Sequence, residues 1–141
     1  MEYIEFGFHG LFLICFLSAT ILPLTSEGVL IVFLTTGYDP ISCLIVATIG
    51  NSIGGLTNYW LGMIGKPSLI RRFFKSEKRY NWLIRNVKQY GFWLGALSWT
   101  PIIGDPLTIA LGFFRVKFFP FLILMVLGKL IRYSIIVYYF V

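Results

Sequence analysis

Four apolar regions, at about residues 6–36, 41–64, 91–114 and 118–141, take up most of this 141-residue chain. A bilayer crossing takes about 20 apolar residues at about 1.5 Å rise each. Regions 41–64 and 118–141 are therefore long enough to cross as single helices. The other two are interrupted near the middle by a proline and an acid: Pro23 and Glu27 in the first, Pro101 and Asp105 in the third. Proline frees backbone groups that hydrocarbon cannot satisfy, so broken helices or re-entrant hairpins beside a protein-lined cavity are expected. A kinked, fully spanning helix is the alternative.

Composition excludes the other broad classes. The chain is 57% hydrophobic and 13% charged, with a mean hydropathy of +0.81. Soluble domains run at about 45–50% apolar and about 25% charged. So few charges cannot cover a soluble surface, and the abundant large apolar side chains exclude disorder. The length fits one membrane domain, residues 1–141. Its acidic start, Met1-Glu2-Tyr3-Ile4-Glu5, lacks the basic n-region of a signal peptide, so the first apolar run is expected to stay in the mature protein. Cys15 and Cys43 lie within apolar runs and read as small hydrophobes.

The net charge of +6 is unevenly placed. Eight of the 12 basic residues fall between Lys66 and Lys88. There Leu69, Phe73, Tyr80, Leu83, Val87 and Tyr90 recur at helical spacing, with Ile70, Phe74 and Ile84 beside them. This predicts a basic amphipathic helix at headgroup level over 66–90, broken near Ser76, its cations meeting anionic lipid headgroups and its apolar face meeting lipid or the protein core. Nucleic acid is not an expected partner.

A shift of 78 residues superposes Pro23 on Pro101, Glu27 on Asp105 and Gly50 on Gly128. Identity at this shift is otherwise near chance, so the case rests on the repeated Pro-x-x-x-acid. If each half is a re-entrant hairpin plus one crossing helix, each half crosses once and the second is inverted. The expected fold is thus an all-α polytopic membrane protein built as an inverted repeat: about 6–64, the linker 66–90, and about 91–141. The positive-inside rule places the linker in the cytoplasm and both termini outside.

Ionisable groups at membrane depth are costly and usually functional. Here they are Glu27, Asp105, Lys129 and Arg132. Arginine keeps its charge, so Arg132 needs an anion or a wet cavity, and with Lys129 it is a candidate phosphate binder. Glu27 and Asp105 are candidates for proton coupling or gating. Pro23 and Pro101 are the hairpin breaks. Gly50, Gly54, Gly55, Gly62 and Gly65 read as close helix contacts. Asn51 and Asn58, seven apart, share a face and are candidate substrate contacts. A purely structural ion pair is the competing explanation of the charges.

Catalysis lacks parts. His9 is the only histidine, which leaves hydrolase and metal chemistry without a constellation. Gly104-Asp105 falls short of the Gly-x-Gly-Asp of intramembrane aspartyl proteases, because residue 102 is isoleucine. No enzyme activity, cofactor or metal is expected.

Four words, Leu22-Pro23-Leu24-Thr25-Ser26-Glu27, Gly50 through Gly62, Trp99 through Thr108, and Leu127 through Tyr133, resemble the YqaA-like branch of the DedA superfamily. That superfamily is also known as VTT-domain or SNARE-associated Golgi proteins, and the resemblance runs from about residue 8 to 139. It implies a multi-pass protein of the bacterial inner membrane with two re-entrant hairpins, acting in envelope homeostasis. It also implies transport of undecaprenyl phosphate or phospholipid, with the proton gradient as the candidate driving force and with Glu27, Asp105 and Arg132, and Lys129 beside them, at the functional positions. The expected activity is a lipid flippase. The alternatives are a non-transporting assembly or stability factor and a proton- or cation-coupled small-ion transporter. Oligomeric state is not legible.

Overall fold

A computed structural model describes residues 2–20, 26–65, 77–99 and 104–141, without the side chains of 2–6, 19–20, 98–99 and 104–106. The regular elements are all helical: α1 (Glu2–Thr20), α2 (Ser26–Thr35), α3 (Pro40–Ile64), α4 (Glu77–Tyr90), a 3-10 helix (Gly91–Trp99), α5 (Gly104–Phe113) and α6 (Phe118–Phe140). The 25 residues of α3 and 23 of α6 are long and apolar enough to cross a membrane, as the lengths of 41–64 and 118–141 require. Pro23 and Pro101 lie outside the described residues. The chain is helical on either side of each, over Glu2–Thr20 and Ser26–Thr35 and over Gly91–Trp99 and Gly104–Phe113. The first of these, α1, extends through the acidic start to Glu2.

Asp39 starts α3. Its Oδ2 accepts from the Ser42 amide at 2.9 Å and the Ser42 hydroxyl at 2.7 Å, with Pro40 as the first helical residue. The carboxylate thus satisfies an amide that the first turn leaves without a partner, and proline has no such amide to lose.

The shift of 78 residues holds for the backbone. The ten residues of α2 map onto the ten of α5, and Pro40, opening α3, maps onto Phe118, opening α6. The turns between them repeat bond for bond. Gly37 donates to Leu34 O at 3.4 Å and Tyr38 to Phe33 O at 3.2 Å. Their equivalents, Arg115 to Gly112 O and Val116 to Leu111 O, are at 3.0 and 3.2 Å. Gly37 has φ 95° and Arg115 φ 51°, so both turns need one residue in the left-handed region. Exposure repeats too. Ile41, Ile45, Ile49 and Ile53 form an exposed stripe on α3, and Phe119, Ile123, Leu127 and Ile131 form the same stripe on α6. Long apolar ridges left bare are what acyl chains cover.

The chain divides into two compact units. The first, Met1–Gly54 with Lys129–Val141, packs Leu11, Cys15, Leu30, Leu34, Cys43, Ala47 and Tyr133 into one core. Gly50 permits this packing, since a Cβ there would lie 2.7 Å from the Phe12 carbonyl oxygen of α1. The second, Gly55–Gly128, is built around Tyr59, Leu83, Leu107, Leu111, Phe121 and Met125. In it α3 and α5 touch backbone to backbone: a Cβ on Gly62 would strike Ile109 O, and one on Gly112 would strike Tyr59 O.

The amphipathic segment is helical over Glu77–Tyr90, while 66–76 lies outside the described residues. Its apolar face is taken by the protein: Leu83 and Val87 are buried in the second core, with Tyr80 packed against it. Tyr90 departs from the expected face and is exposed. It is the last helical residue, and the chain leaves the helix at Gly91 with φ 57°.

Candidate functional site

The first unit gathers three of the membrane-depth ionisable residues. Glu27 is in the first turn of α2, where its charge complements the helix dipole. Lys129 and Arg132, three residues apart on α6, project from neighbouring parts of that helix. Arg132 Nε lies 3.4 Å from Glu27 Oε1, with side-chain exposures of 14% and 28%. This ion pair is therefore half-buried, with Arg132 Nε itself shielded from solvent.

Two hydroxyls tie the pair down. Arg132 Nη2 donates to Tyr133 OH at 3.0 Å, and that oxygen lies 2.6 Å from Ser26 Oγ. The phenol accepts from the guanidinium and shares a second hydrogen bond with Ser26, in which either hydroxyl can donate. Arg132 also lies over the Tyr133 ring, with its guanidinium carbon 4.8 Å from the ring centroid. Ser26 and Tyr133 are fully buried, so the cluster has an inner, sealed side and an outer, accessible one. Sequence reasoning passed over both hydroxyls. Their only signal was adjacency, Ser26 before Glu27 and Tyr133 after Arg132, inside the family-like words.

Lys129 is placed differently. It is buried, and its amine donates to the backbone carbonyl of Asn51 at 2.8 Å and to Asn51 Oδ1 at 2.5 Å. Asn51 Nδ2 in turn donates to Cys15 O at 3.0 Å and Ser18 Oγ at 3.3 Å. The network joins α6, α3 and α1. Lys129 and Asn51 are thus engaged with each other, while Arg132 keeps an accessible edge. Asn58 is buried in the second unit. Asp105 opens α5 in that unit, and its side chain is outside the described residues.

The arrangement can hold a negatively charged oxygen group. A planar guanidinium presents its donors in a fork that matches a phosphate, and a carboxylate beside it competes for the same donors.

Residues 18–141 match the VTT domain family. The chain is 40% identical over 128 residues to the inner membrane protein YqaA of Escherichia coli, covering 88% of this chain and 84% of that one. An uncharacterized protein of Haemophilus influenzae is 31% identical over 131 residues, covering 87% and 80%. One from Methanocaldococcus jannaschii is 27% identical over 139 residues, covering 97% and 86%. No solved structure matches the chain. Two helices of membrane-crossing length, exposed apolar ridges and these relatives agree: the chain is an inner-membrane protein and belongs to the VTT-domain (DedA) family.

Proposed function

We propose that this protein is a proton-coupled flippase for a phosphate-bearing lipid, undecaprenyl phosphate or a phospholipid, with Arg132 as the headgroup ligand. The observation that carries the reading is the half-buried pair of Glu27 with Arg132, the latter on a helix of membrane-crossing length. In the empty site Glu27 occupies the guanidinium. Protonation of Glu27 releases it for the phosphate, and departure of the phosphate lets Glu27 ionise and recapture it. Proton and lipid then move together, because each state of the carboxyl permits only one occupant of Arg132. Next to Arg132, Ile131 and Ile135 are exposed, and a shallow groove on α6 is lined by Leu130, Ile131, Ser134, Ile135, Tyr138 and Tyr139. A headgroup on Arg132 would have its tail along that apolar surface.

The same proposal includes two re-entrant hairpins in an inverted repeat. Charge at equivalent turn positions supports it: Gly37 and Asp39 of the first turn correspond to Arg115 and Lys117 of the second. The positive-inside rule draws a turn with two cations to the cytoplasm and exerts no such pull on one with an acid. Anionic lipid headgroups are the proposed partner of α4, whose buried face leaves Lys78, Arg79 and Arg85 exposed around a half-exposed Trp82.

The test is translocation of a fluorescent polyprenyl phosphate and a fluorescent phospholipid in proteoliposomes, with and without anionic phospholipid and a proton gradient. Arg132→Ala should abolish translocation. Glu27→Gln should leave binding intact and remove the dependence on the gradient. Wild-type rates in both variants would sink the proposed site. A second reading, a non-transporting assembly factor, is favoured by the bonds from Tyr133 to Ser26 and Arg132, which tie α6 to α2. It predicts no translocation by the wild type and a marked loss of thermal stability in Arg132→Ala.

A further inference from the structure

Ser26 and Glu27 are consecutive on α2, and Arg132 and Tyr133 are consecutive on α6. Both pairs belong to the first unit, where Glu27 meets Arg132 at 3.4 Å and Ser26 meets Tyr133 at 2.6 Å. Arg132 and Tyr133 are also bonded to each other, Nη2 donating to OH at 3.0 Å. The contacts therefore close into a ring between two helices. We infer that Tyr133 is a positioning residue, which holds the Arg132 guanidinium in place while Glu27 and a phosphate exchange on it. The inference rests on the reading of Arg132 as headgroup ligand and deepens it.

Helix geometry makes the contact specific. Consecutive side chains on a helix point about 100° apart and do not face each other. A guanidinium extending straight out from α6 would thus miss Tyr133. Here its carbon lies 4.8 Å from the centroid of that ring, so the arginine folds across the helix surface towards its neighbour. Two attractions hold it there: the ring face for the cation and the hydroxyl oxygen for Nη2. Neither involves Glu27.

The ring is itself fixed. Tyr133 is fully buried in one core with Leu11, Cys15, Leu30, Leu34, Cys43 and Ala47, which come from α1, α2 and α3. A side chain locked by close packing can hold a functional charge in one place. The ring of contacts also decides what moves. When the Glu27 carboxylate leaves Arg132, the bond from Tyr133 to Ser26 still joins α2 to α6 one residue away. Opening the ion pair is then a rotation of one glutamate side chain, and the helices stay together. Without Tyr133 the guanidinium would swing on several torsions, and each arriving phosphate would have to order it again.

Nitrogen NMR of the full chain in detergent, labelled at arginine, tests this. A guanidinium held at several atoms rotates slowly about Nε–Cζ and gives separate Nη signals, whereas a loose one gives an averaged signal. Arg132→Lys identifies the signals by their loss. Glu27→Ala should leave them separate, because Tyr133 keeps its hold. Glu27→Ala with Tyr133→Phe should merge them. Merged signals in the wild type or in Glu27→Ala overturn the inference, as do separate signals in the double variant. Where the double variant cannot be purified, Tyr133→Phe alone should speed exchange between the signals, and an unchanged rate overturns the inference.

Translocation of a fluorescent polyprenyl phosphate in proteoliposomes gives a second readout. Tyr133→Phe should raise the half-saturating lipid concentration about tenfold, the effect of one hydrogen bond to a charged group. The maximal rate per folded molecule should change little. A tyrosine with only a structural role gives the opposite result, fewer active molecules with an unchanged half-saturating concentration, and that result overturns the inference. The spectra do not depend on transport. A wild type that fails to translocate removes the flippase reading and leaves the hold of Tyr133 on Arg132 standing. Merged signals in Glu27→Ala remove that hold and leave the flippase reading standing.

Discussion

Tyr133 is where the contacts around the ion pair converge, through one hydroxyl between Arg132 and Ser26. Removing that hydroxyl leaves Ser26 Oγ buried without this partner, and a stranded buried hydroxyl costs about 1–3 kcal/mol. Tyr133→Phe should therefore destabilise the protein by this amount in thermal unfolding. Ser26→Ala with Tyr133→Phe should cost less than the sum of the two, since the double change removes both ends of one bond. Additive losses would mean that the bond contributes nothing. At this scale the ionisable residues were legible: Glu27 and Arg132 stood out because charge at membrane depth is rare. The hydroxyls did not, because serine and tyrosine are common in apolar helices and only a contact 107 residues apart in sequence singles these two out.

Among the elements, α3 shows its origin most directly. Asp39 is fully exposed, and the Ser42 hydroxyl, then the Ser42 amide, hold its carboxyl below its ordinary value. A lowered folded pKa adds stability above the ordinary carboxylate range, and that stability is lost as pH falls through the folded value. Acidification below about pH 4 should therefore fray the first turn of α3, read as faster hydrogen exchange at the Ser42 amide. Asp39→Asn should keep the cap and lose the pH dependence. An unchanged pH profile in that variant would show that another group is responsible. The helix boundaries themselves were partly legible. Length marked out α3 and α6, while the breaks expected at Pro23 and Pro101 lie outside the described residues. The face of α4 was legible at Leu83 and Val87, but periodicity alone left open whether lipid or protein would cover it. Packing in the second unit decided that, and the left-handed Gly91 released Tyr90 from the face.

For the whole molecule, the decisive comparison is between two turns with the same backbone and different charge. Arg115 occupies a left-handed position that glycine fills at Gly37, at a cost of about 1–2 kcal/mol for a residue with a Cβ. What arginine brings there and glycine lacks is charge, which fits a topological role. With Cys15 and Cys43 replaced by alanine, a single cysteine at Thr36 should react with a membrane-impermeant maleimide from the periplasmic side. A cysteine at Lys117 should react only once the cytoplasmic side is opened. Labelling of both from one side would refute the inverted topology.

Residence in the membrane, two helices long enough to cross it and a basic amphipathic helix were determined by the sequence alone. These follow from hydropathy and charge, which are properties of consecutive residues. The repeat at a shift of 78 was visible only as a proline, an acid and a glycine, because apolar side chains interchange freely where lipid covers them. Tertiary structure decided which charges meet. Glu27 reaches Arg132, and Lys129 turns instead to Asn51. Lys129 and Arg132 are one turn apart on the same helix and equally charged. Their different surroundings arise from the helix rotation that buries one against α3 and leaves the other half-buried, a rotation set by packing across more than 75 residues of sequence.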